Sequence, residues 1–423
     1  MDDNDIMPIG MTGNKLRSRS IYDIDTISAA YFKQQETLLA LEQWNYDSAL
    51  VTGSNSRADI QLPKKEAYKH NVSIWSINHY LGLNRHKEVL KAIQDSIGVY
   101  GSGAGTSAMS GGHCKLHKQL QQRFSHMWDK EETLLFPTGF TANLGAISGL
   151  MKGTSRENLI LLDEECHASI IDGCKLSGAR FLRFSHNDID DLEKKLEKYH
   201  HSFSNIMVIV DSIYSMSGDS APLPDIAKLK EKYHFIYYVD ESHSFGFYGE
   251  QGKGLCHELD MLDSVDIIMT TLSKACASIG GVITTNKRYC AVLKWSTSYL
   301  YQAAIPAHDV AASLKALDII QNSALASELK EKSDYLRSRL VKAGFDIGLG
   351  SGPIIPIYIN DDLKLKNAEK LLSEYNIFTV AIQYPIVKAG SSRFRFIVNL
   401  SHSYQDLDAL VDNLVEIKHK VDI

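Results

Sequence analysis

Polar side chains recur at the ends of short apolar runs, and their types suit the chemistry of an aldehyde and an amine. Lys274 stands in "MTTLSKACASIGG" (269–281), the only lysine between Lys253 and Lys287, with Thr271 three residues before it. Asp240 closes "FIYYVD" and His243 follows it; Asp211 and Ser215 follow "IMVIV", and Asp163 and His167 follow "LILL". A lysine crowded by apolar neighbours is partly desolvated, which lowers its pKa and makes the neutral amine a nucleophile toward carbonyls. Alone, such a lysine more often packs its stem and keeps its head in water. An acid, hydroxyls and two histidines at neighbouring run ends turn the balance toward an aldehyde cofactor.

Pyridoxal 5'-phosphate asks a protein for a lysine to bond its aldehyde, a carboxylate for its pyridine nitrogen and donors for its phosphate. Asp240 suits the nitrogen, keeping it protonated so that the ring withdraws electrons, and His243 is spaced to reach the ring oxygen. "FPTGFTANLGAISGL" (136–150) reads as a turn opening a helix, where free backbone N–H groups favour an anion. Thr138 and Gly139 are therefore candidates for a phosphate cradle, with Thr271 adding a hydroxyl. Each signal is weak singly, since TGF is a common turn and an Asp at a strand end is often a helix cap. The small residues of "ACASIGG" are expected to leave room for a flat ring.

These side chains meet only if the chain folds so that the run ends converge. "DIDDLEKKLEKYHH" (188–201) and "DIAKLKEKY" (225–233), apolar at helical spacing, separate the apolar runs. Short strands alternating with amphipathic helices imply βαβ units and a largely parallel sheet. The intervals of 29 residues from Asp211 to Asp240 and 31 from Asp240 to Thr271 each suit one such unit. Ligands of open α/β sheets bind outside the carboxyl ends of the strands, where Asp163, His167, Asp211, Ser215, Asp240, His243, Thr271 and Lys274 would gather.

Beyond about 305 the pattern changes. A helix is expected over 324–343 with Gly344 as its C-cap, then strands in "PIIPIYI" and "RFRFIVNL" and helices near 363–375 and 404–420. In "RFRF" the arginines share one strand face and the phenylalanines the other. Ahead of the sheet, 1–20 reads as a leader, 24–44 as helical and 45–70 as polar and irregular. The expected organisation is an N-terminal segment over 1–75, a large α/β domain over 76–305 and a small α+β domain over 306–423.

Composition closes off other classes. The 423 residues are 44% hydrophobic and 23% charged, with a formal charge of −6, so no excess of positive charge points to nucleic acid. The cysteines at 114, 166, 174, 256, 276 and 290 form no CxxC pair and no zinc-like spacing, which suits reduced thiols, no metal and a cytoplasmic setting. No apolar run approaches the roughly 18 residues of a membrane helix.

Eight motifs, in order, resemble the α-oxoamine synthase family: "NHYLGL" (78–83), "YGSGAGTSAMSGGHCKLHKQL" (100–120), "FPTGFTANLGAI" (136–147), "CHASIIDG" (166–173), "DSIYSMSGDSAPL" (211–223), "VDESHSFGFYGEQGKG" (239–254), "TTLSK" (270–274) and "SRFRFIVNLSHS" (392–403). These are pyridoxal-phosphate enzymes of fold type I, aspartate aminotransferase-like, with a large mostly parallel sheet domain and a smaller α+β C-terminal domain. The resemblance implies that Lys274 bonds the cofactor, Asp240 and His243 hold its ring nitrogen and ring oxygen, and His167 stacks on its face. It makes Ser215 and Thr271 cofactor contacts and Thr138, Gly139 and Phe140 the phosphate-side loop. Arg395 then holds the amino-acid carboxylate, assisted by Asn78, in a homodimer with sites at the interface. The implied reaction is a decarboxylative Claisen condensation of an amino acid with an acyl-CoA. Lys274 takes the Cα proton, His167 polarises the acyl carbonyl, and an α-aminoketone, CoA and CO2 leave.

The chain departs from the family pattern in places that bear on substrate. Ala108 stands in "GTSAM" (105–109) where members that use a dicarboxylic acyl-CoA carry an arginine, which points to an uncharged, fatty acyl chain. Ser107, where glycine-selective members carry threonine, suits alanine, serine or another small amino acid. Gln302 and Ala303 replace the Ser-Thr pair that precedes the proline, so the threonine contact to a partner's phosphate is missing. "VDSIYS" and "VDESHS" also resemble the branch that makes α-aminoketone autoinducers. An aminotransferase or aldolase on the same fold, and a non-catalytic subunit, are the alternatives; the latter sits poorly with Lys274, Asp240, His243 and Arg395 all present.

Overall fold

A computed structural model of the chain describes residues 23–40, 46–63, 68–384 and 386–423. The expected leader lies outside them, as does the end of the expected helix over 24–44, which runs Ile24–Ala40.

Residues 46–63 and 68–70 hold more regular structure than the polarity of this stretch suggests. β1 (Ala49–Leu50), β2 (Arg57–Gln61) and β3 (Tyr68–Ile74) form an antiparallel ribbon. Ala58, Ile60, Val72 and Ile74 are buried together beneath it. The apolar positions alternate with Arg57, Asp59 and Gln61, a two-residue period too short-lived to stand out in the sequence.

The large sheet comprises β4 (Glu132–Phe136), β5 (Asn158–Asp163), β6 (Arg180–Phe184), β7 (Asn205–Asp211), β8 (Ile236–Asp240), β9 (Ile267–Thr271) and β10 (Gly281–Thr285), in the order β4-β10-β9-β8-β7-β5-β6. Neighbours from β9 to β6 are parallel, whereas β10 runs antiparallel to both β4 and β9. β5 and β9 are buried along their whole length, as is β7 after its first residue. Strands covered on both faces read as unbroken apolar runs, which is why these three were legible. The chain leaves β5 to one side for β6 and returns on the other for β7, a switch in strand order that opens a crevice at the carboxyl ends. The register sets Asp211 of β7 opposite Asp240 of β8.

Beyond the large sheet, β11 (Ile354–Tyr358), β12 (Ile377–Phe378), β13 (Ala381–Ile382) and β14 (Arg393–Ile397) follow. β11, β14 and β13 make an antiparallel sheet, while β12 adds parallel to β3. On β14, Phe394 and Phe396 are fully buried, and the Arg393 guanidinium lies 4.3 Å from the centre of the Tyr358 ring.

The division into domains differs from the expected one. Among the described residues, one compact unit comprises 78–333 with 349–353, and the other comprises those up to 77 with 334–348 and 354–423. The N-terminal ribbon belongs with the C-terminal unit because β3 pairs with β12. The boundary expected at 306 falls at 334 because the helix Ala307–Gln321 buries Val310, Ala312, Ala316, Leu317 and Ile320 within the large unit, against the helices Lys87–Tyr100 and Lys115–Met127. Among the described residues no helix is long and apolar enough to cross a membrane.

Candidate active site

A cavity of about 250 Å³ opens at the carboxyl ends of β7, β8 and β9 and the start of the helix Gly139–Leu150. Its walls include Thr138, Gly139, Phe140, His167, Asp211, Asp240, His243, Thr271 and Lys274, so nine of the residues singled out in the sequence meet in one place. Parallel strands ending side by side put the first residues after each strand around a common opening.

Lys274 follows β9 in a turn. Its Nζ lies 2.7 Å from Nε2 of His243, whose Nδ1 lies 2.6 Å from the Tyr80 hydroxyl. Tyr80 donates its single proton to Oδ1 of Asn78 at 3.4 Å. The Tyr80 hydroxyl thus bridges His243 and Asn78, and the His243 ring bridges Tyr80 and the amine of Lys274. His243 and Tyr80 are buried and Lys274 is half-buried.

Asp240 ends β8 with its carboxylate held on both oxygens. Oδ1 accepts the Ser242 N–H at 2.9 Å, and Oδ2 accepts from the Asn143 amide at 2.9 Å. The same amide nitrogen reaches Ser169 Oγ at 3.0 Å, and Ser169 Oγ lies 2.7 Å from Nδ1 of His167. His167 is the N-cap of the helix Ala168–Ser177, and its ring meets Phe140 edge-on at 6.4 Å between centres. Asp211 also lines the cavity. Burial, then the neighbouring charge of Asp240, pushes its carboxyl well above the ordinary carboxylate range.

At the other end, Thr138 caps the helix Gly139–Leu150: its Oγ1 accepts the Thr141 N–H at 3.0 Å, and Thr141 Oγ1 accepts the Thr138 N–H at 3.2 Å. The Thr138 hydroxyl thus holds the helix end in shape. The first helical N–H groups, at Gly139 and Phe140, have no carbonyl within their own helix to bond, and the helix dipole favours an anion there. The Thr271 hydroxyl donates to the Gly280 carbonyl at 3.1 Å, so it braces the turn that carries Lys274. A side chain at Gly139 would place Cβ 2.8 Å from Thr271 Cβ, so only glycine fits there without a shift. The small residues after Lys274 serve close packing as well: a Cβ on Gly246 would come within 2.2 Å of Ala275 Cβ, and one on Gly281 within 2.3 Å of the Thr138 carbonyl.

The donor set fits pyridoxal phosphate. The cavity offers an amine, the Asp240 carboxylate, a histidine beside the amine and a glycine-opened helix N-terminus, and a bulkier residue at that glycine would fill the cradle. The buried Oδ1 of Asp211 has no hydrogen-bond partner within the protein, as a wall built to face a polar group would leave it. Asn78, Ser107 and Ser215 belong to the same unit but are not among the residues lining the cavity; Asn78 acts on it through Tyr80. Arg395 lies on β14 in the other unit. Asn143, Ser169, Tyr80 and Ser242 are site residues that went unassigned in the sequence. All four lie inside the quoted motifs, where their only signal was proximity to a stronger residue.

Residues 70–414 match the family model described as aminotransferase class I and II. The chain is 39% identical over 350 residues to a putative 8-amino-7-oxononanoate synthase of Acetivibrio thermocellus, covering 82% of this chain and 89% of that protein. It is 35% identical over 354 residues to a serine palmitoyltransferase of Sphingobacterium spiritivorum, covering 83% and 88% respectively. Among solved structures, a serine palmitoyltransferase of Sphingomonas wittichii superposes with a TM-score of 0.87 at 25% identity, covering 95% of this chain and 99% of the other.

Proposed function

Because the chain belongs to the aminotransferase class I and II family, and within it to the α-oxoamine synthases, we propose that it joins a small amino acid such as alanine or serine to an uncharged fatty acyl group carried on coenzyme A. The products are an α-aminoketone, CoA and CO2. It is an acyl-CoA-dependent C-acyltransferase, and pyridoxal phosphate is its cofactor. The convergence of Lys274, His243, Asp240 and His167 on one cavity carries this reading.

When bound, the cofactor supplies an electron-withdrawing ring that makes the amino acid's Cα–H acidic. Asp240 holds the ring nitrogen, and its hydrogen bonds from Ser242 and Asn143 keep it an acceptor. Lys274 takes the Cα proton at Nζ, and His243, supported by Tyr80, fixes where that amine sits. Gly139, Phe140 and Thr138 seat the phosphate, and Ser215 and Thr271 support the loops around it. His167 donates a hydrogen bond to the acyl carbonyl. Arg395 suits the substrate carboxylate through its bidentate fork, with Asn78 and Ser107 as further substrate contacts.

Ala108 supports an acyl chain without a distal charge: it is partly buried and packs against the apolar core of the large unit. The relatives named serine palmitoyltransferases support the same choice. A homodimer with sites at its interface is part of this proposal.

The test is release of CoA from a panel of short-, medium- and long-chain acyl-CoAs with mixed amino acids, followed by mass spectrometry of the products. Release that needs both an amino acid and Lys274 is expected. No release across the panel would sink the condensation, and amino-group transfer or retro-aldol cleavage without CoA would replace it with the aminotransferase or aldolase reading.

A further inference from the structure

The amide of Asn143 joins the two sides of the cavity. Asp240 accepts from it on one side, Ser169 on the other, and Tyr238 donates its hydroxyl to Asn143 Oδ1 at 2.6 Å. All four side chains are buried. The orientation of the amide is decided by charge, because the Asp240 carboxylate accepts and never donates, so the NH2 group must face it.

That orientation propagates. Both amide hydrogens are spent, one on Asp240 and one on Ser169 Oγ, so the serine oxygen is an acceptor toward Asn143. Its own proton then has Nδ1 of His167 at 2.7 Å as its partner. The backbone N–H of Ser169 points at the same nitrogen at 3.2 Å, since His167 caps its helix through Nδ1. Two donors converge on one lone pair. A proton on Nδ1 would meet both of them, and the positive end of the ten-residue helix disfavours an imidazolium there as well. The neutral ring must therefore carry its hydrogen on Nε2.

We propose that Asn143 and Ser169 are positioning residues that lock His167 as the neutral imidazole protonated on Nε2, making it a hydrogen-bond donor to the reacting carbonyl and unable to take a proton at that atom. The donor role rests on the condensation proposed above; the tautomer does not.

The test is read without turnover. Cofactor-free protein labelled with 15N-histidine is examined by NMR, with the His167 signals identified by their loss in His167→Gln. The parent is expected to show His167 as a single Nε2–H tautomer from pH 6.5 to 8. Ser169→Ala removes one of the two donors, so the protonated fraction of His167 at a given pH should rise about fivefold, the effect of one ordinary hydrogen bond. Asn143→Ala, the second variant should Ser169→Ala fail to fold, lets the serine accept from Nδ1 and should add an Nδ1–H population. A parent His167 protonated on Nδ1 at pH 7, or a folded variant indistinguishable from the parent, would overturn the proposal. Because cofactor and substrates are absent, a chain that makes no aminoketone yet shows this tautomer would refute the function and leave the lock standing.

Discussion

His186 offers a test of how the loops around the site are held. Its Nδ1 lies 2.9 Å from Oδ1 of Asp163 and its Nε2 lies 2.9 Å from Oδ2 of Asp219, with Glu165 at 4.0 Å from Nε2. Carboxylates on both ring nitrogens require both to donate, so the ring is an imidazolium. Burial opposes that charge, but the hydrogen bonds to Asp163 and Asp219 overcome it and lift the pKa from 6.5 to about 10. Asp163 opens the loop that presents His167, and Asp219 closes the loop that carries Ser215. A pKa raised in the folded state contributes stability that is complete below about 6.5 and lost as pH climbs through about 10. At about 1.4 kcal/mol per pH unit, the linkage has a ceiling of roughly 5 kcal/mol. His186→Gln keeps one donor yet leaves the fully buried Asp163 without its cation, which sets the expected loss at about 3 kcal/mol near neutral pH. Urea unfolding of parent and variant from pH 6 to 9.5 measures it. The gap should be widest at the acid end and should narrow by about 1.4 kcal/mol per pH unit above pH 7, closing at about pH 9. A gap that is constant across the range, or under about 0.5 kcal/mol throughout, would refute the charged strut.

Lys274→Ala should still bind pyridoxal phosphate weakly yet lose turnover by at least about 100-fold, the lower range for a general base; CoA release and cofactor absorbance measure the two, and substantial remaining activity would mean another lysine serves. Tyr80→Phe leaves buried Nδ1 of His243 without its hydroxyl partner, a loss of about 1–3 kcal/mol, so cofactor dissociation should rise roughly 5- to 150-fold in a titration; an unchanged constant counts against the chain from Lys274 to Asn78. Gly139→Ala must push Thr271 aside, at about 1–3 kcal/mol of overpacking. It should lower the thermal midpoint and cofactor affinity together, and a variant equal to the parent in both would show that the cradle has slack.

Legibility followed the length of each pattern. β5, β7, β8 and β9 announced themselves because buried parallel strands are apolar throughout and end abruptly in polar residues. The reversed direction of β10 was implicit in the short loop 272–280, which is too brief for a parallel crossover. The sheet β1-β2-β3-β12 was hidden, since β12 is two residues long and its pairing with β3 closes across most of the chain. Helices with a strong apolar stripe, such as Ile189–Tyr199, were placed to within two residues. The domain boundary missed because nothing local tells the helix Ala307–Gln321 which unit will bury it.

Within the site the same division holds. Eight ordered motifs carried the resemblance to the family and, with it, the cofactor; strand period and crossover spacing, which are properties of neighbouring residues, brought candidate side chains to the strand ends. The partner of each polar group was decided only in three dimensions. Tyr80 and His243 are 163 positions apart, and Asn143 and Asp240 are 97 apart. A buried donor or acceptor must find a partner wherever packing puts one, and no local pattern records which buried amide will face which carboxylate. Lys274 stood out from its neighbours in sequence; the partners that hold it, and those that hold His167, belong to the fold.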